Sequence, residues 1–242
     1  RPDLGTIGEN TGSWKSASDL TFFIRIQAYL KSIYTIKYMN LPTINSKFIY
    51  KVGCNYIDEY NVNELVVRTI KDFTFFGLNR FNCLLLHRPS KEKLSSDIKY
   101  INFLKKEYPK LPIGISTNSI EIYNLYKQEI NIDTVQMALN PLDFSLNEPF
   151  INYLNKDNTP IQVRSVLSSG LLSGKYNKTS IFTDNMRSKF HTNENQYMYR
   201  KRIEMSATII SYLSKNYNIK QIDIPIFLYS LFQDSTNVDC VI

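Results

Sequence analysis

Short apolar runs alternate with longer stretches of helical spacing along most of this 242-residue chain, and that alternation restricts the fold more than any single motif. The runs are Lys47–Val52, Phe81–Leu86, Ile113–Ser116, Thr134–Met137, Pro160–Val166 and Val238–Ile242. Each is short and nearly continuous in apolar character, as strands are when both faces of a parallel sheet are covered. Helices are expected between them. Over Asn63–Phe76 the residues Leu65, Val66, Thr69, Ile70 and Phe73 form one stripe, and Gly77 supplies a stop. The spacing predicts further helices over Ser95–Lys106 (with Ser95 or Ser96 as cap), Ile120–Gln128 after a Ser119 cap, Asn195–Tyr217, and Ile222–Phe232 with Pro225 in its first turn. Strands alternating with helices in this way predict a single α/β domain over residues 1–242, a (β/α)8 TIM barrel. The rival, an open doubly wound sheet, usually carries G-x-G-x-x-G after its first strand; Gly5, Gly8 and Gly12 do not have that spacing.

Composition narrows the class. The longest apolar runs, such as Cys83–Leu86 and Ile224–Tyr229, fall far short of the ~20 residues a membrane span needs. Arg1–Trp14 has no apolar segment of the kind a secretory signal carries. Three cysteines, Cys54, Cys83 and Cys240, are too few and too scattered for a disulfide framework or a zinc cluster, so a reducing, cytoplasmic setting and no bound metal are expected. The net charge of +7 is spread along the chain, and its densest run, Arg200-Lys201-Arg202, is short. No basic helix carries aromatics at a stacking spacing, which argues against a nucleic-acid partner, while the surplus suits a small phosphorylated ligand.

In a barrel the chemistry gathers where strands end and loops begin. The polar residues that end or interrupt the apolar runs are Lys51, His87, Ser116, Asn118, Gln136, Arg164 and Ser165. Polar groups at such places cost desolvation energy unless they are paired or used. A lysine inside an apolar strand must find a partner for its ammonium, unless the strand lies at an edge and the side chain reaches water. His87 follows four apolar residues and reads either as a site group or as a histidine satisfied by backbone at a strand end.

Five ordered segments then carry a family resemblance: Lys51-Val52-Gly53; Leu84-Leu85-Leu86-His87-Arg88-Pro89; Gly114-Ile115-Ser116; Val135-Gln136 with Asn140-Pro141-Leu142-Asp143; and RSVLSSGLLSGKY over Arg164–Tyr176. In order and rough spacing they resemble an aldo-keto reductase. The resemblance implies a barrel that binds NADPH without a Rossmann fingerprint and reduces a small aldehyde or ketone by hydride transfer. It assigns Lys51 to the lysine that lowers the pKa of a proton-donating tyrosine, and His87 to the histidine that orients the carbonyl. It implies that Ser116, Thr117 and Gln136 hold the nicotinamide, that Arg164 packs on its face, and that Ser165, Leu167, Gly170 and Lys175 lie in the stretch that cradles the pyrophosphate. Arg187 falls in a segment that closes over the cofactor.

Set against the family's pattern, the resemblance implies a barrel shortened or incomplete at its N-terminal part and its C-terminus, and one motif is missing. The family's aspartate and tyrosine precede the lysine. Asp19 stands at about the right separation, but Phe22, Phe23 or Ile24 then falls where the tyrosine belongs, and none can donate a proton. Tyr29, Tyr34 and Tyr38 lie in a segment of helical appearance. Two functions follow. The first is an NADPH-dependent reductase with Lys51, His87 and Asp19 in its active site. The alternative is a catalytically impaired relative acting as a cofactor-binding or regulatory subunit, as the beta subunits of potassium channels suggest for this fold.

Overall fold

The computed structural model describes residues 48–53, 61–78, 81–184, 187–191, 193–233 and 238–241. Asp19, the Phe22–Ile24 stretch and Tyr29, Tyr34 and Tyr38 lie outside the described residues. The elements are β1 (Phe48–Val52), α1 (Val62–Phe76), β2 (Phe81–His87), α2 (Leu94–Glu107), β3 (Ile113–Ser116), α3 (Ile120–Lys127), β4 (Thr134–Ala138), α4 (Phe144–Lys156), β5 (Ile161–Arg164), α5 (Asn193–Tyr217), α6 (Ile224–Gln233) and β6 (Val238–Val241). The sheet order is β1-β2-β3-β4-β5-β6. A doubly wound sheet reverses its strand order partway; this one never does, and the architecture is a partial (β/α)8 barrel. Packing divides the chain into two compact units, one running to Ile115 and including Gln128–Ile130, the other made of Ser116–Lys127 and Asn131 onward.

In the first unit β1 and β2 pair in parallel with one irregularity: Phe48 lies opposite Phe81, but Ile49 lies opposite Cys83. The extra residue flips the parity of β2, because side chains alternate with period two. The ring contacts agree with this. Tyr50 meets Phe81 at 5.6 Å and Phe73 of α1 at 5.2 Å between centroids, and Phe73 continues to Tyr108 at 5.4 Å. The Tyr50 hydroxyl also donates to Asp72 of α1. So Tyr50 and Phe81 share the face of the sheet that α1 covers. Burial of Tyr50 and the adjacent Asp72 carboxylate push the phenol well above its usual pKa, which keeps it a donor. Thr69 and Tyr100 join α1 to α2 through a buried hydroxyl pair at 2.8 Å.

Helix ends follow local chemistry. Asn61 caps α1: its side-chain oxygen accepts from the backbone N–H groups of Asn63 and Glu64 at 3.1 and 3.3 Å, so the helix starts one residue before the spacing suggests. Gly77 ends it at φ 85°, as expected. Ser119 caps α3 by accepting from Ile122 at 3.2 Å, also as expected. The expected cap of α2 is corrected. Lys93 occupies the cap position and makes no side-chain cap bond, while Ser95 and Ser96 stand inside the first turn.

The second unit holds β4, β5 and β6, with both pairs parallel. Helix α4 has no counterpart in the sequence expectations, and Pro149 stands inside it. It forms because Phe150 and Leu154, one turn apart, are both buried. Strand β5 ends at Arg164 rather than Val166, since Ser165 takes φ 63° and breaks the extended run. Among the described residues no helix is long and apolar enough to cross a membrane.

The Asn61 cap satisfies two otherwise orphaned N–H groups, so Asn61→Ala is expected to lower stability by about 1 kcal/mol. Urea unfolding checks this; an unchanged midpoint would show that water serves those groups equally well.

Candidate active site

Lys51 is the penultimate residue of β1, and His87 is the last residue of β2. Lys51 lies opposite Leu85, and residues paired across parallel strands share a face. His87 is two residues beyond Leu85 and returns to that same face. Tyr50 points to α1, so Lys51 and His87 both point to the opposite side. Both side chains are half-buried. One strand spacing across and two residues along put their Cα atoms about 8 Å apart. They stand at the C-terminal ends of adjacent strands, where barrel chemistry is built. Gly53, next after Val52, has φ 80°, and a Cβ there would come within 3.2 Å of the His87 carbonyl oxygen. This close approach leaves little room for a side chain at position 53.

The second unit carries a buried polar ladder. The Ser116 hydroxyl donates to the side-chain oxygen of Gln136 at 3.4 Å, and the Gln136 amide donates to Gln162 at 3.4 Å. All three residues are at most 4% exposed. The Thr117 N–H donates to the Gln136 carbonyl at 3.1 Å. The Thr117 hydroxyl accepts from the Ser119 N–H at 3.0 Å, which ties it to the start of α3. Asn118 grips the end of β4 from both sides, donating to the Ala138 carbonyl at 2.8 Å and accepting from the Ala138 N–H at 3.0 Å. Gln162 is absent from the sequence-level site residues. Its one sign in the sequence is a polar residue between Ile161 and Val163, in a strand that also carries Arg164.

Beyond β5 the chain makes a strained turn. Ser165, Ser168, Ser169, Gly170 and Gly174 all have positive φ. Such backbone turns form concave surfaces suited to anions. At Gly170 a Cβ would lie 3.2 Å from the Tyr176 ring, so the turn and that ring are in contact. Arg164 donates to the Ser165 hydroxyl at 3.2 Å. Leu167 is half-buried in the turn, and the backbone of the exposed Lys175 donates to Ser173 at 3.3 Å. Arg187 lies over the Tyr176 and Phe182 rings, 5.2 and 5.5 Å from their centroids, and donates to Asp184 at 2.8 Å. Ser165, Leu167, Gly170 and Arg187 therefore gather around one turn. A clamp fixes this turn from behind. Arg202 of α5 donates two hydrogen bonds to Asp143, at 2.5 and 2.8 Å, and a third to the Ser168 hydroxyl at 2.7 Å. Asn140 donates to the same carboxylate at 3.0 Å. Hydrogen bonding from Arg202 holds the Asp143 carboxyl below its usual pKa. No cluster of His, Cys, Asp or Glu among the described residues is arranged to hold a metal ion.

Residues 64–224 match the Aldo/keto reductase family, and the chain belongs to it. The matched segment includes His87, Ser116, Gln136 and the whole turn after β5; Lys51 precedes it. The fold is also that of a glycerol dehydrogenase from Gluconobacter oxydans, with a TM-score of 0.54 and 19% identity over 79% of this chain. The chain spans 61% of that structure's length. No curated protein matches the sequence.

Two outcomes follow from the geometry. Gly53→Ala meets both the positive φ and the His87 carbonyl, and is expected to cost about 1–3 kcal/mol in urea unfolding; a neutral substitution would show that the strand ends separate freely. Asp143 has a depressed folded pKa, so its pairing stabilises the fold above the unfolded carboxyl value of about 3.9 and the effect is lost as pH falls through the lower folded value. Asp143→Asn is therefore expected to lower the Tm at neutral pH, and its gap to wild type should close in acid. A gap that stays constant with pH would contradict this.

Proposed function

We propose that the chain is an NADPH-dependent oxidoreductase that reduces an aldehyde or ketone, with Lys51 and His87 in the active site and Asp19 as the partner of the lysine. The carrying observation is that Lys51 and His87 share one face at the C-terminal ends of β1 and β2. A half-buried imidazole at a strand end can donate its N–H to a carbonyl oxygen and orient it. An ammonium beside it favours the anionic form of any neighbouring acid, and so eases proton delivery to the same oxygen.

The residues of the second unit fit the cofactor. Ser116 and Gln136 present hydroxyl and amide groups suited to a carboxamide, with Thr117 bonded to the same strand. The left-handed turn carrying Ser165, Leu167 and Gly170 suits a pyrophosphate. Lys175 and Arg187 add positive charge near the same turn, and Arg164 offers a guanidinium plane for stacking on a ring. A nicotinamide held by these residues would supply a hydride. The carbonyl carbon would gain that hydride as NADPH is oxidised to NADP+, its oxygen would take a proton from water, and the product would be an alcohol. A reducing compartment such as the cytoplasm suits such an activity.

The test is NADPH oxidation against a panel of aldehydes and ketones. Lys51→Met and His87→Gln are each expected to lower kcat by ~10²–10⁴-fold. No turnover by the wild type with any carbonyl would overturn the reading. A second reading rests on the resemblance, by which Phe22, Phe23 or Ile24 falls where the family carries its proton donor. If the protein is instead a cofactor-binding regulatory relative, tyrosine introduced at one of these positions will create activity that the wild type lacks.

A further inference from the structure

We propose that Gln162 is a positioning residue of the nicotinamide site, acting through Gln136; this rests on the cofactor reading above. Gln162 lies directly opposite Gln136 in the parallel β4–β5 register. It is 1% exposed, and Gln136 is 4% exposed. A buried amide next to apolar Ile161 and Val163 is costly unless its bonds are made. The ladder has a direction. Ser116 donates to the Gln136 oxygen, and the Gln136 nitrogen donates to the Gln162 oxygen. Turning the Gln136 amide over would set its oxygen against the oxygen of Gln162. As long as Gln162 presents its oxygen, Gln136 must turn its nitrogen toward it and its oxygen toward Ser116, so the two orientations are coupled. A ligand carboxamide, itself a paired donor and acceptor, then meets one pattern instead of two.

β5 also shifts register against β6 between Ile161 and Gln162, so the strand is locally irregular where this amide stands. Such irregularities commonly re-aim side chains beside functional sites. Gln162 touches no reacting atom in this account. Its effect passes through the orientation of its neighbour, and a bystander at the same place would not couple to Gln136.

The experiment is a double-mutant cycle on the full chain with Gln136→Met, Gln162→Met and the double variant. Two probes are titrated: reduced nicotinamide mononucleotide and 2′-phospho-ADP-ribose, the two halves of the cofactor. Gln162→Met should weaken the nicotinamide probe about 5–10-fold, the worth of about one hydrogen bond, and leave the adenosine probe unchanged. In the Gln136→Met background the same substitution should have no further effect. Equal weakening of both probes, or additive effects in the double variant, would overturn the proposal. If Gln162→Met does not fold, Gln162→Glu keeps the acceptor oxygen and should bind the nicotinamide probe more tightly than Gln162→Leu; no difference between them also overturns it. Wild type that binds NADPH with additive variants defeats only this inference, whereas wild type that binds no NADPH defeats the cofactor reading itself.

Discussion

The parity of β2 governs the candidate site. Strand side chains alternate, so a slip of one residue moves a whole set from one face to the other. In β1 and β2 the register slips once, between Phe48 and Ile49, where the partner jumps from Phe81 to Cys83. Below the slip Phe81 joins Tyr50 and Phe73 against α1. Above it Leu85 and His87 fall on the face of Lys51. Without the slip, His87 would point to the helix layer while Lys51 pointed away from it. The histidine at the strand end shares the face of the lysine only through this irregularity. The aromatic cluster around Phe73 holds it in place, because Phe81 is packed on one face and Leu85 is committed to the other.

In the second unit the equivalent constraint is a charged clamp. A turn with so many left-handed residues opposes the chain's own preferences. Arg202 offsets this by binding Asp143 with two bonds and Ser168 with a third. Bidentate guanidinium–carboxylate pairs are among the stronger hydrogen bonds and also fix direction. The carboxylate would otherwise be available to cap α4, whose cap position it occupies; it makes no cap bond there and serves the clamp instead. A helix end is left less well served so that the turn beyond β5 is held.

Much of this could be read from the sequence, and the failures have physical causes. Apolar runs such as Cys83–Leu86 located strands because a parallel strand covered on both faces has no polar side to hide it. Gly77 and Ser119 marked helix boundaries because each acts on the backbone beside it, Gly77 by its positive φ and Ser119 by its hydroxyl. Lys51 and His87 were visible as polar residues in apolar strands. The register slip that brings them to one face was not, since it depends on how Phe81 packs against rings distant in sequence. Helix α4 was hidden by Pro149, which lowers local helix propensity, while its stability comes from burying Phe150 and Leu154. Gln162 was overlooked because a single amide in a strand carries no pattern; its meaning appears only beside Gln136. Ser95 and Ser96 misled in the opposite way, since hydroxyls near a helix start are informative only at the cap position itself.

The serines of the turn after β5 have a further meaning. Glycine adopts left-handed backbone at little cost, yet positions 165, 168 and 169 carry side chains there. For two of them the structure supplies a return: Ser165 accepts an N–H from Arg164, and Ser168 accepts one from Arg202. Glycine would have made the bend easier and left both guanidinium groups with one oxygen fewer to hold. The loop thus exchanges conformational ease for tethering. Its shape is set less by what its backbone prefers than by the two cations that hold its hydroxyls.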